Sequence, residues 1–377
     1  MQKIKNHLCF GAIFLFGSII LGFFSGKSFV SMHKDDSIFP SHDLSENKML
    51  SEYFPKLKKT PGDTPVFIFH GEQPGRNILI LGGAHPNEPA GTITAVLLTE
   101  SIQVQAGKVI IIPWANHSGF THNDPFEGSP QRFSIKTQGG KRWFKYGSRL
   151  TNPIHQWPDP IVYINPSGQK LAGTECRNLN RSYPGKRNGN LTERIAFGIM
   201  EVLKSEKIDL AIDLHEAAPE YPVINAIVFH ENSAEISSIA FMDLQLSNFE
   251  FRLEASPPNL RGLSHREWGD FALVKAVLLE TANVSHGRLK GKPSASLITE
   301  GKDKNYVKAG KLGRLFVPFR EEGIPLKLRV ARHLASVEAL ISAFQEEDPA
   351  KRFAMSGIPS AERVKTEGIG HFLTPPK

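Results

Sequence analysis

Two short stretches of this 377-residue chain put metal-binding side chain types where an apolar strand gives way to another element. The first is Gly82-Gly83-Ala84-His85-Pro86-Asn87-Glu88-Pro89-Ala90-Gly91. A histidine and a glutamate three residues apart can close on one ion as a nitrogen and an oxygen ligand. The second is Asp213-Leu214-His215-Glu216, which offers His215 as a third ligand. A His, Glu, His set is one that catalytic zinc uses, with the fourth position left to water that the metal acidifies and orients. One zinc ion per chain, held by His85, Glu88 and His215, is therefore expected.

Hydrolysis at such a site needs a base. Glu280 is the candidate, because it ends the apolar run Val277-Leu278-Leu279 and a carboxylate there is costly to bury without a partner or a task. Glu216 is the rival, since it adjoins His215. Successive residues on an extended strand point to opposite faces, so Glu216 should turn away from the metal that His215 faces. The remaining polar cluster is Arg177-Asn178-Leu179-Asn180-Arg181-Ser182-Tyr183-Pro184-Gly185. Asn180 beside Arg181, in a loop fixed by Tyr-Pro-Gly, can form a fork for a substrate carboxylate, which a guanidinium binds bidentately.

The elements that must position these groups are legible as apolar runs. Val66–Phe69, Ile78–Leu81, Lys108–Ala115, Ile208–Leu214, Val223–Phe229 and Lys275–Leu279 read as strands, several of them buried on both faces. Thr92–Leu98, Thr192–Glu206 with Thr192 as N-cap, Ala234–Ser247 and Leu326–Phe344 read as helices. Strands alternating with helices imply an α/β fold, in which sites sit at the carboxyl ends of strands. Residues 116–175 are rich in Gly, Pro, Asn and aromatics with little periodicity, and so long an irregular stretch is expected to wall a functional cleft.

Composition narrows the function classes. Apolar residues make up 40% and charged residues 22%, as in an ordinary globular protein. The net charge of +7 is spread without a run of like charges, which excludes nucleic acid as the expected partner and leaves a small-molecule or short-peptide substrate bearing a carboxylate. Lys3 and Lys5 precede the uncharged run Leu8 to Phe24, the pattern of an export signal. Its length falls between a signal core and a membrane span, so cleaved signal and retained anchor both stay open. The expected location is periplasmic or secreted, or membrane-anchored through residues 8–24, with no other membrane contact. Cys9 lies in that segment and leaves Cys176 alone, so no internal disulfide forms. The domain reading is a signal or anchor over 1–28, a linker over 29–64, a catalytic domain over 65–347 and a polar tail over 348–377.

In order and context, His85-x-x-Glu88, Asn180-Arg181 before an aromatic and Pro, the strand-end His215 and the late strand-end Glu280 resemble the zinc carboxypeptidase superfamily. The run from Gly82 to Gly91 is particularly similar to its succinylglutamate desuccinylase and aspartoacylase branch. Asn116-His117-Ser118-Gly119-Phe120 is similar to a further segment of that superfamily, with His117 in place of Pro. The resemblance implies a mixed, mostly parallel eight-stranded sheet between helices and one zinc. It implies metal ligation by His85, Glu88 and His215, substrate carboxylate or oxyanion binding by Asn180 and Arg181, and acid–base work by Glu280. It places the specificity pocket near Arg261, His265 and Arg266. The implied activity is hydrolysis of an amide next to a carboxylate, as in an N-acyl amino acid deacylase. The alternatives are a metallocarboxypeptidase acting on short or cell-wall peptides, and a binding module without turnover. Three features depart from the pattern. The usual further arginine is unassigned among Arg142, Lys145 and Arg149, no tyrosine lies between Tyr221 and Tyr306, and Leu326–Phe344 closes the domain as a helix rather than as a β-rich domain.

Overall fold

The computed structural model describes residues 2–32, 34–124, 127–348 and 350–376. Met1, His33, Pro125, Phe126, Pro349 and Lys377, which fall in the expected leader, linker, irregular stretch and tail, lie outside them. The chain divides into two compact units, Met1–Ser37 and Ile38–Lys377. The first holds helix α1 (Gln2–Met32), whose span Asn6–Ser31 is long and apolar enough to cross a membrane by length and composition.

The second unit begins with strand β1 (Glu46–Met49), helix α2 (Leu50–Tyr53), β2 (Pro65–His70), β3 (Gln73–Leu81), α3 (Pro89–Ser101) and β4 (Gln103–Ile112). Two small hairpins follow, β5 (Arg132–Thr137) with β6 (Gly140–Lys145), and β7 (Val162–Ile164) with β8 (Lys170–Ala172). Then come α4 (Leu191–Ser205), β9 (Leu210–Ala217), β10 (Ala226–Phe229), α5 (Ala234–Leu246), β11 (Arg252–Ala255), α6 (Ser264–Ala272) and β12 (Lys275–Ala282). Helices α7 (Ala295–Glu300), α8 (Lys304–Lys311) and α9 (Leu326–Glu347), strand β13 (Ala354–Ser356) and α10 (Ala361–Glu367) complete it.

One mixed nine-stranded sheet organises the unit. Eight strands run in the order β1-β2-β4-β3-β9-β12-β10-β11, and β13 pairs with the start of β4. The central path β4-β3-β9-β12 is parallel throughout, which needs helical crossovers and places helices on both faces. Alternation along the strands divides the core accordingly. Ile78, Ile80, Ile212, Leu214, Val277 and Leu279 pack toward α3 and α9. Leu79, Leu81, Ala211 and Ala276 pack toward α4 and Trp268 of α6. Strands buried on both sides read in sequence as unbroken apolar runs, which is why they were visible there.

Three expectations are corrected. The cap of α4 is Asn190, not Thr192. Asn190 Oδ1 accepts from Glu193 N at 2.8 Å and Glu193 Oε2 accepts from Asn190 N at 3.1 Å, a reciprocal box that satisfies two free donors. Thr192 lies inside the helix and its hydroxyl donates to Gln156 Oε1 at 2.7 Å. The stretch read as a linker supplies β1, with Leu50, Phe54 and Leu57 buried against the α4 side of the core. The stretch read as a polar tail adds β13 and α10, and buries Phe353, Val364, Ile369 and Leu373 in the α9 layer. In both, single apolar residues are spaced among charges, so no run betrays a packed element.

Glu216 does face away from His215, as the strand period requires. On the α9 side it meets Arg329, with Nη1 donating to Oε1 at 2.7 Å and both side chains fully buried. Its Oε2 accepts from Ala90 N at 2.9 Å and from Asn283 Nδ2 at 3.2 Å. One carboxylate thus ties β9 to α3, α9 and the turn after β12. Glu216→Gln should cost about 3–5 kcal/mol in urea unfolding, because it strands a buried guanidinium. The double change Glu216→Leu with Arg329→Met removes both charges and should cost less.

Candidate metal centre

The turn that carries His85 is fixed by close approach. Gly83 has a φ of +66°, and a Cβ there would sit 2.7 Å from the Pro113 carbonyl. A Cβ on Gly91 would lie 2.3 Å from the Leu214 carbonyl, so α3 presses directly on β9. Glu88 occupies the N-cap position of α3, with Pro89 at the first helical position. Its N–H donates to the His85 carbonyl at 2.9 Å, closing the loop that brings the two side chains to one side.

His85, Glu88 and His215 meet, with one ligand atom from each within 4.8 Å of the others. His85 Nδ1 lies 2.8 Å from Glu88 Oε1, His215 Nδ1 lies 2.9 Å from Glu88 Oε2, and the two Nδ1 atoms are 3.1 Å apart. All three side chains are buried. The outer nitrogens fix the tautomers. His85 Nε2 lies 2.9 Å from Asn178 Oδ1, an oxygen that also accepts from Asn180 N while Asn178 Nδ2 donates to Glu175 Oε2. His215 Nε2 lies 2.9 Å from Asp213 Oδ2, which also accepts from Ser264 Oγ. Each ring therefore carries its proton outward and turns its Nδ1 lone pair inward, the second-sphere arrangement typical of ligating histidines.

Two imidazole nitrogens and a carboxylate facing one another could hold a cation between them, and the nitrogen, nitrogen, oxygen donor set fits zinc. Without a cation, a proton competes for the same place. Burial would raise Glu88, but His85 and His215 outweigh it and hold the carboxyl well below its usual range. Burial would lower His215, but Asp213 and Glu88 hold it well above the usual histidine value. His85 is pushed down to about 4, by burial first and then by Arg149.

Glu280 is the register partner of His215 across the parallel pair β9–β12, and the shared pleat puts both on one face. Its Oε2 has no hydrogen-bond partner among the described residues. Burial, and then the charge of Glu88, pushes its carboxyl up to about 8. Asn180 is held by Ser264 N, which donates to Oδ1 at 2.8 Å. Arg181 donates from Nη1 to the Asn180 carbonyl at 2.6 Å and lies 4.0 Å from Glu175. Its charge is disfavoured by burial first and then by Arg149. The loop is anchored by Tyr183, edge-on to Trp268 at 5.6 Å.

Comparisons with known proteins can be set beside this geometry. No family model and no curated protein matches the sequence. Solved structures with a similar fold include a succinylglutamate desuccinylase/aspartoacylase from Rhodobacter sphaeroides, at 16% identity and TM-score 0.36, covering 58% of this chain and 51% of that one. The ectoine utilization protein of Ruegeria pomeroyi has 20% identity and TM-score 0.37, covering 58% and 53%. The apo cell shape determinant protein Csd4 of Helicobacter pylori has 12% identity and TM-score 0.47, covering 81% and 59%. The chain thus spans between half and three-fifths of the length of these proteins.

Asn178 and Asp213 escaped the sequence reading, and Arg149 was left unassigned beside Arg142 and Lys145. Arg149 donates from Nη1 to Glu88 Oε1 at 3.1 Å, which separates it from Arg142 and Lys145. Arg142 is spent on Glu100 and Lys145 is buried. Gly147 N donating to the Pro86 carbonyl and Ser148 N to the Gly119 carbonyl bring Arg149 to the centre. Asn178 and Asp213 orient the two histidines. Only Asp213 left a signal, two residues before His215 on one strand and hence on the same face. Of the three residues near the expected specificity pocket, Arg261 pairs with Glu267 and Asp270, and Arg266 with Glu231. His265 is buried, and its Nδ1 has no partner among the described residues.

His215→Ala should leave purified protein without zinc by atomic emission, and Asn178→Ala should weaken zinc binding about 10–100-fold in a chelator competition. In the parent, zinc affinity should fall as pH is lowered, because His215, with its raised pKa, then takes a proton at the atom that ligates.

Proposed function

We propose that this chain is a zinc-dependent hydrolase that cleaves an amide bond next to a carboxylate, in an N-acyl amino acid or a short peptide. The observation that carries the reading is Glu280, a glutamate with an unpartnered oxygen set in register beside His215 and a three-donor metal set. A purely structural carboxylate in that place would have found a donor, as Glu216 did with Arg329.

Zinc held by His85, Glu88 and His215 would supply a Lewis acid that polarises the amide carbonyl and makes water the stronger nucleophile. Glu280 takes the proton from the attacking water and returns it to the leaving nitrogen. Its raised pKa keeps it basic enough to accept, and a neighbouring cation favours the carboxylate form that must do so. Arg149, beside Glu88 and about a third exposed, faces the developing charge on the carbonyl oxygen. Arg181, with Asn180 held beside it, binds the substrate carboxylate. Among the described residues neither guanidinium is consumed by a bidentate partner, unlike that of Arg177, which grips Asp159 through two nitrogens.

A second reading, a metallocarboxypeptidase for short or cell-wall peptides, is favoured by one feature. After β12 the chain closes with α7, α8 and the 22-residue α9 rather than with a β-rich domain. For either substrate the helix over Asn6–Ser31 would serve as export signal or anchor, setting the catalytic unit outside the cytoplasm.

Glu280→Gln keeps size and hydrogen bonding and removes the base. It should bind zinc as the parent does and lose about a hundredfold or more in turnover of acylated amino acids or peptides. Near-normal turnover would end this assignment, and a parent that hydrolyses none of them would make the chain a binding module. Arg181→Lys keeps the charge and loses the fork, so the preference for carboxylate-bearing over amidated substrates should shrink, read as a ratio of kcat/KM.

A further inference from the structure

Over residues 152–165 the usual arrangement of a surface loop is reversed. Its polar side chains turn inward and are spent there. His155 Nδ1 lies 2.8 Å from Ser118 Oγ. Gln156 Oε1 accepts from Thr192 N at 2.9 Å, and Gln156 Nε2 donates to the Cys176 carbonyl at 2.9 Å. Asp159 accepts from two nitrogens of Arg177. A Cβ on Gly173 would collide with the Pro160 carbonyl, so the chain leaving β8 presses on the same loop. The apolar side chains in between turn outward. Ile154 is 82% exposed, Trp157 72% and Ile161 98%. On β7 the pleat buries Tyr163 and exposes Val162 and Ile164. Apolar residues scattered singly over a surface are ordinary. Several on one loop pinned from within mark a contact surface.

Two features favour a lipid surface as the occupant. The first is the backbone. An N–H without a partner is costly in hydrocarbon. Pro153, Pro158 and Pro160 have no N–H to satisfy. Ile154 N donates to Asn152 Oδ1 at 3.1 Å, His155 N to the Asn152 carbonyl at 2.9 Å and Gln156 N to the Pro153 carbonyl at 3.3 Å. Those groups ask nothing of water or of a partner's polar atoms. The second feature is charge. Asp159 is the one acidic residue in the sequence over residues 150–174, and Arg177 neutralises it. Lys170 is exposed and stands opposite Ile164 in the register of β7 and β8, hence on the same outward face. Exposed isoleucines beside a tryptophan and a lysine, with no free carboxylate among them, suit the headgroup layer of an anionic bilayer. The chain carries its own route to a bilayer, since Asn6–Ser31 is long and apolar enough to cross one. A unit tethered there would meet the lipid at high effective concentration, so a few side chains suffice to dock it.

We propose that the loop over residues 154–164 is a membrane-docking edge, with Ile154, Trp157 and Ile161 entering the headgroup layer of an anionic bilayer. Arg177 joins this loop to the segment of Asn178 and Asn180, so docking would hold that segment near the lipid surface. The choice of lipid rests on the anchor reading of Asn6–Ser31, and the hydrolase reading plays no part in it.

Trp157 reports on its own docking. The full-length chain is reconstituted into vesicles of phosphatidylethanolamine and phosphatidylglycerol, with and without bromine on the acyl chains. Trp114 and Trp268 are buried, which leaves Trp157 and Trp143 open to a quencher. Brominated lipid should quench the emission. Trp157→Phe should remove most of that quenching, and Trp143→Phe should keep it. Ile154→Ser with Ile161→Ser should lower the quenching and let aqueous iodide reach Trp157. Both isoleucines are exposed, so thermal unfolding should stay as in the parent. A Trp157 that brominated lipid does not quench overturns the proposal. Iodide access would then show a free surface, and shielding from iodide an interface between copies or with another protein. Equal quenching in Trp157→Phe overturns it as well. Resistance to carbonate extraction is scored separately. A chain that carbonate releases although Trp157 is quenched refutes the anchor and leaves docking standing. One that resists extraction with Trp157 unquenched keeps the anchor and refutes docking.

Discussion

The structure depends on a gathering of electron-rich atoms that have nothing of their own to share. His85 Nδ1, His215 Nδ1 and the two oxygens of Glu88 converge in a buried place, with the imidazole protons drawn outward by Asn178 and Asp213. Such a set is unfavourable until a proton or a cation enters it. The surrounding chain holds it open all the same. Gly83 and Gly91 allow the close approach of turn and helix, and Glu216 N donates to Glu88 Oε2 at 3.0 Å. Ser264 on α6 pins Asp213 from the other side. A cation entering there would meet donors already placed by the folded state, which would link metal loading to stability.

The two faces of β9 divide the labour. On one, Asp213 and His215 look toward α6 and the loop of Asn178 and Asn180. On the other, Glu216 is locked to Arg329, Ala90 and Asn283. A pleat that alternates every residue keeps these two carboxylate environments apart although Glu216 adjoins His215. The outcome is two buried glutamates near one site with opposite fates. Glu216 is saturated with donors, while Glu280 Oε2 has no partner among the described residues.

Positive charge is placed with equal economy. Arg177 and Arg142 are committed to Asp159 and Glu100, and Arg261 and Arg266 to acidic partners around α6. Arg149 and Arg181 are the guanidiniums that bear on Glu88 and Glu280 without being bound bidentately. They repel each other, and a substrate carboxylate between the metal set and Arg181 would relieve that repulsion. The net charge of +7 does not reveal this, because most basic side chains are paired or solvated.

The sequence by itself determined the parallel core and which side chains meet at its carboxyl edge. Strands buried on both faces must be continuous apolar runs, and a His or Glu just past such a run must stand at the carboxyl edge of the sheet. His85, Glu88, His215 and Glu280 were all legible on that ground, and the strand period gave the direction of Glu216. Only the tertiary structure decided what orients and completes the site. Asn178 and Arg149 lie in segments without periodicity, so their side-chain directions follow from contacts made far away in sequence, such as Gly147 on Pro86. The ninth strand and the α10 cover were hidden for a related reason. Burial there is assembled from single residues, Phe353, Val364, Ile369 and Leu373, each recruited by a surface that exists only once α9 and β4 are in place.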